Sequence, residues 1–142
     1  ENNNKCPICL GKMKVLKYIL SAIVSLVVIN VWLFRFNKST IYRGGEASNM
    51  IEEFAVYGLN EAMVYLIGGL KILAALGLLI GFFKDKVIIP SALLMSALMM
   101  GAIFMHFKVE DEAIKYLPAG LMFVFSMSIL YLQRKINTRE SH

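Results

Sequence analysis

The chain has 142 residues, 58% of them hydrophobic and only 18% charged, with a mean hydropathy of +0.63, whereas a soluble domain keeps roughly a quarter of its residues charged. The formal net charge is +5, but the basic residues flank long apolar segments and form no basic face interleaved with aromatics, which excludes a nucleic-acid partner. The length allows one domain and no added soluble module, and two cysteines close together in sequence cannot supply a disulfide framework.

The first residues, 1–12, read as an N-terminal tail. Within it, Cys6-Pro-Ile-Cys9 has the spacing of a redox pair or of half a zinc site. A redox pair normally sits on a thioredoxin-like scaffold, and half a zinc site needs two further ligands. No metal is therefore expected, with Cys6 and Cys9 the candidates should one bind. Met13-Lys-Val-Leu-Lys17 looks like a natural bacterial start, so residues 1–12 are expected to be an upstream extension.

Four segments then approach the roughly 20 apolar residues that a bilayer core demands of a helix. They run over about 15–36, 62–83, 87–107 and 113–133. Spanning strands would be about ten residues long with alternating polarity, and these segments do not alternate. The first is also too long for a signal peptide and ends in Trp-Leu-Phe-Arg-Phe36 rather than small residues, so it is read as a retained helix.

Between the first two segments lies the longest loop, about Asn37 to Glu61, with a turn at Gly44-Gly45. Met50, Phe54 and Tyr57 recur at helical spacing, and Glu52 and Glu53 are expected to face elsewhere. The prediction is a short amphipathic helix at the outer interface, serving as a cap on the bundle or as a lid over a lateral opening.

Lysine and arginine counts set the orientation. The N-terminal tail (Lys5, Lys12, Lys14, Lys17), the second loop (Lys84, Lys86) and the C-terminal tail (Arg134, Lys135, Arg139) carry nine. The first loop (Arg35, Lys38, Arg43) and the third (Lys108, Lys115) carry five. The bias places both termini in the cytoplasm. The resulting expectation is an all-α, antiparallel four-helix transmembrane bundle over residues 13–136, with a short extracytoplasmic interfacial helix and a C-terminal tail over 137–142.

Lys71 falls near the middle of the second segment, where a charge costs roughly 2.5–3.5 kcal/mol and normally faces a bundle interior or wet cavity. At about 1.5 Å per residue, Lys71 lies roughly 14 Å and Asn30 roughly 9 Å below the outer ends of their helices, with Ser126 at roughly the depth of Lys71. Asn30, Lys71 and Ser126 are therefore candidates for one polar cluster that binds a ligand or handles protons, capped by His106. A lysine there also suits an anionic or quinone-type head group. The alternative is plain: Lys71 snorkels and Asn30 only bridges helices. Gly77-Leu-Leu-Ile-Gly81 allows close helix approach, read as packing inside the bundle ahead of dimerisation. Met95, Met99 and Met100 read as adaptable interior filler.

Phe54-Ala-Val-Tyr-Gly-Leu59 and Gly68-Gly-Leu-Lys-Ile-Leu-Ala-Ala-Leu-Gly-Leu-Leu-Ile-Gly81 resemble the DoxX-like family of small four-helix membrane proteins. Gly101-Ala-Ile, then His106, the acidic run Glu110-Asp-Glu112 and Pro118 opening the last helix continue the likeness, which covers roughly Lys14 to Gln133. Family members often carry Glu where this chain has Lys71. The resemblance implies an integral protein of the bacterial inner membrane, with some relatives tied to quinone-linked sulfur oxidation or oxidative stress.

Three functions stay open at this point. The first is a non-catalytic subunit or anchoring partner of a larger, redox-linked membrane complex, working with a protein partner or as a homo-oligomer. The second is a quinone- or lipophile-binding redox subunit with a pocket near Lys71. The third is a small transporter or channel.

Overall fold

The computed structural model describes residues 6–141; residues 1–5, with the tail charge Lys5, and His142 lie outside the described residues. Among the described residues all regular structure is helical, in five α-helices. The first, α1 (Pro7–Ile29), starts well before the predicted boundary. Pro7 occupies the first turn, where its missing N–H costs nothing, and the Cys6 Sγ caps that turn by accepting from the Cys9 N–H at 3.4 Å. Most of the predicted tail is thus helix, and both thiols are free. The helix runs on through a π-helical turn, Asn30–Phe34, closed by the Arg35 N–H on the Asn30 carbonyl at 3.0 Å. Such a turn holds one more residue than an α-helical one; here it leaves Asn30 exposed and Trp32 buried.

The short helix α2 (Met50–Val56) is capped by Asn49, whose side chain accepts from the Glu52 N–H at 2.9 Å. Met50, Phe54 and Tyr57 are buried as their spacing predicts. Glu53 is not turned away: it is buried too, because it shares that face and finds Arg43 there. Gly58, at φ 80°, then reverses the chain.

Three long helices follow: α3 (Glu61–Ile80), α4 (Ile88–Lys108) and α5 (Leu117–Glu140). Pro118 opens α5 in its first turn, and the helix extends to Glu140 through most of the predicted C-terminal tail. There Glu140 pairs with Lys14 of α1. α1 and α4 each pack on both α3 and α5. The pairings fix direction. Lys17 meets Asp85, Ser25 donates to the Ala75 carbonyl at 3.0 Å, and Trp32 lies against Gly68, so α1 and α3 run oppositely.

Small residues let the backbones approach. A Cβ at Gly77 would collide with Ser91 and one at Gly81 with Ile88, so this glycine pair seats α3 on α4 inside the bundle. Gly68 likewise leaves room for the Trp32 ring. Val24, Val64, Leu78, Ile88, Met95 and Ile129 have no exposed surface, whereas Met100, expected inside, is exposed.

All four long helices are apolar and long enough to cross a membrane. The distribution of polarity is inverted relative to a soluble protein. Leu66, Leu73, Leu93, Phe104 and Val124 point outward, while Lys17, Arg43, Glu53 and Gln133 are buried. Lipid is the solvent that accepts such a surface.

Candidate functional site

One end of the bundle carries α2 and the connections before α3 and α5; the opposite end carries the α3–α4 connection, the start of α1 and the end of α5. At the α2 end a cavity of about 710 Å³ opens between the helices. Its walls come from α1 through Asn30 and Trp32, α3 through Lys71, α4 through Gly101 and His106, and α5 through Met122. Three of the four predicted ligand or proton residues therefore line one space. The fourth, Ser126, does not: it is buried and its hydroxyl donates to the Met122 carbonyl at 2.7 Å, one turn back on its own helix.

Lys71 is half-buried in the middle of α3. Its ammonium lies 5.3 Å from the centroid of the Trp32 ring, a cation–π arrangement. Among the described residues no carboxylate lies within ion-pair distance of it. Asn30 stands exposed at the rim.

A buried network of charges caps the cavity. The Arg43 guanidinium donates to Glu53 Oε2 at 2.9 Å and also to the carbonyls of Arg35, Phe36 and Lys38. The other Glu53 oxygen accepts from the Tyr57 hydroxyl and from the Gly44 N–H, each at 2.9 Å. Tyr57 in turn lies 3.3 Å from His106 Nδ1, which is 2.7 Å from Asp111 Oδ2. Asp111 also accepts from the Gly45 N–H at 2.9 Å and faces Lys115 at 3.6 Å. The glycine pair is what permits this. A Cβ at Gly44 would strike the Tyr57 ring, and Gly45 has a φ of 57°.

These contacts set the acidities. Burial, then the Glu53 charge and hydrogen bond, push the Tyr57 phenol well above its ordinary value. Burial raises the Asp111 carboxyl, but the bonds from His106 and Gly45 and the charges of His106 and Lys115 outweigh it together and hold it below its ordinary value.

His106, expected as a cap on the polar cluster, is buried, paired with Asp111 and flanked by Tyr57 and Tyr116. Sequence reasoning missed Arg43, Glu53 and Lys115. Glu53 was legible, since it falls three residues after Met50 and four before Tyr57 on one helical face. A second polar cluster, at the opposite end, was missed as well. Lys17, taken for a tail charge, has no exposed surface and donates to Gln133 Oε1 at 2.8 Å and Asp85 Oδ1 at 3.1 Å. Its signal was the run Lys17, Ser21, Ser25 at intervals of four, one stripe on α1.

Four membrane-capable helices with charges inside and hydrocarbon outside, enclosing a cavity at one end, define a polytopic integral membrane protein. The chain belongs to the DoxX-like family, whose profile matches residues 18–128. No curated protein and no solved structure shows significant similarity to it.

Proposed function

We propose that the protein binds a membrane lipophile in the cavity at its α2 end, and does so as a subunit of a larger, redox-linked complex of the bacterial inner membrane. The cavity itself carries the reading: about 710 Å³ of largely apolar space with the Lys71 ammonium in its wall and no carboxylate beside it. That volume falls within the roughly 300–1,000 Å³ of small-molecule sites. A charge at this depth in a bilayer is costly and marks a functional position. A head group bearing oxygen acceptors satisfies Lys71 and Asn30, and its tail takes the apolar walls. Quinones are the lipophiles that the family's redox associations bring to mind; the chemistry beyond binding then belongs to a partner.

In this arrangement both termini lie in the cytoplasm and α2 lies at the outer interface, closing the cavity from the aqueous side. The excess of Lys and Arg at the terminal end supports that orientation, and it persists when the buried Lys17 is left out of the count.

Mass spectrometry of the protein extracted gently from its native membrane, reading proteins and lipophiles together, tests the reading. One lipophile per chain is expected, lost in Gly101→Leu, because Gly101 lines the cavity and a Cβ there meets nothing within 4 Å. A stoichiometric partner with an empty cavity would remove the lipophile from the reading and leave the assembly role alone.

A further inference from the structure

We infer that the head group bound in this cavity is acidic: the ligand is a single-tailed amphiphile with an anionic oxygen head, a carboxylate or a phosphate monoester, held by Lys71. The inference rests on the lipophile-binding reading and names its ligand class.

Positive charge is left over in the cavity wall. Four basic side chains line the cavity, Arg35, Arg43, Lys71 and Lys115, against one acid, Glu53. Arg43 is satisfied by Glu53 and three carbonyls. Lys115 is satisfied by Asp111 and the Gly45 carbonyl. Glu53 is engaged elsewhere, one oxygen accepting from Arg43 and the other from Tyr57 and Gly44, and makes no ion pair with Lys71. Lys71 has only the indole face. Arg35 is exposed at the rim beside Asn30, where both can add donors to an anion.

A neutral head group would leave the Lys71 charge uncompensated among apolar walls. An anionic one cancels it through a charge-assisted hydrogen bond, about twice as strong as a neutral one. The remaining walls, from Val31, Ile67, Leu98 and Met122, suit hydrocarbon, and the volume is that of a site for one drug-sized molecule, which favours one tail over two.

Trp32 is the single tryptophan of the chain and lines the cavity, so its fluorescence reports occupancy. The probes are dibrominated stearic acid, its methyl ester and a dibrominated monoalkyl phosphate, whose bromines quench an indole on contact. They are titrated into the full chain in lipid nanodiscs at a pH where the acid is ionised. The acid is expected to bind about tenfold more tightly than the ester, with the preference kept in Lys71→Arg and abolished in Lys71→Met, or in Lys71→Gln should the methionine variant not fold. A phosphate that outcompetes the acid with the same dependence on Lys71 supports the inference and assigns its head group. Equal quenching by acid and ester, or a preference that survives in Lys71→Met, overturns the acidic head group while the cavity reading stands. Absence of quenching by any probe, or quenching unchanged in Gly101→Leu, overturns the lipophile-binding reading itself.

Discussion

The Lys17 ammonium, wholly removed from solvent, lies 2.8 Å from the Gln133 amide oxygen. That bond ties α1 to α5 at the terminal end, and the Asp85 carboxylate at 3.1 Å draws in the α3–α4 connection. Gln133 passes the link on to Asn137 at 2.7 Å. The bundle is thus pinned by buried polar contacts at one end and by the Arg43–Glu53–Tyr57 network at the other.

Gln133→Leu leaves a buried ammonium with one hydrogen-bond partner, Asp85, itself partly exposed, and the face of the Tyr18 ring. A loss of about 1–3 kcal/mol is expected, and Asp85→Asn should cost less because the Asp85 side chain is 44% exposed. Thermal unfolding in detergent ranks the two, and the reverse order would refute the assignment of Gln133 as the principal partner.

Removing one member of the Arg43–Glu53 pair strands the other in a buried site. Glu53→Leu should therefore cost about 3–5 kcal/mol, whereas the double change Arg43→Met with Glu53→Leu should recover much of that loss. Tyr57→Phe removes one neutral hydroxyl and should cost about 1 kcal/mol. Near-equal stability of the single and double variants would show that the pair does not act as a unit.

Asp111 and Tyr57, both at the α2 end, define opposite pH limits. Asp111 titrates lower in the folded protein than its ordinary 3.8, so its contribution is present above that value and is lost as pH falls through the folded pKa. Tyr57 titrates higher than its ordinary 10.0; the unfolded phenol ionises first, so stability declines as pH rises above that value. Melting temperature against pH should show both slopes, the acid one flattened in Asp111→Asn and the alkaline one in Tyr57→Phe.

Glycine positions separate packing from mere composition. Gly77→Leu drives a side chain into Ser91 and should cost at least about 1–3 kcal/mol. Gly69→Ala, where a Cβ meets nothing within 4 Å, should be neutral or stabilising through helix propensity. Comparable losses at both sites would contradict the close contact of α3 with α4.

Orientation can be read from the free thiols at the start of α1. With the termini in the cytoplasm, a membrane-impermeant maleimide should label the exposed Cys9 in inverted vesicles and spare it in intact cells. Labelling from outside would invert the proposed topology and place the cavity on the cytoplasmic side.

The number and rough limits of the long helices were legible because apolar length is a one-dimensional property, written consecutively along the chain. The buried face of α2 was legible for the same reason, through the period of Met50, Phe54 and Tyr57. Lys71 announced itself because a lone lysine inside an apolar run is anomalous without any partner being known. The start of α1 was misjudged because hydropathy ignores capping: Lys12 and Lys14 lower the apolar average, yet Cys6 and Pro7 still begin the helix there.

What only the tertiary structure decided is pairing. Arg43 with Glu53, His106 with Asp111, and Lys17 with Gln133 are separated by 10, 5 and 116 positions, and nothing in the identity of a charged residue says whether it will meet water or a partner. That choice depends on which helix faces meet and how deep each side chain then stands. The sequence determined a four-span membrane protein with a lysine at mid-depth; helix packing decided that this lysine would face a cavity with its nearest acid already taken.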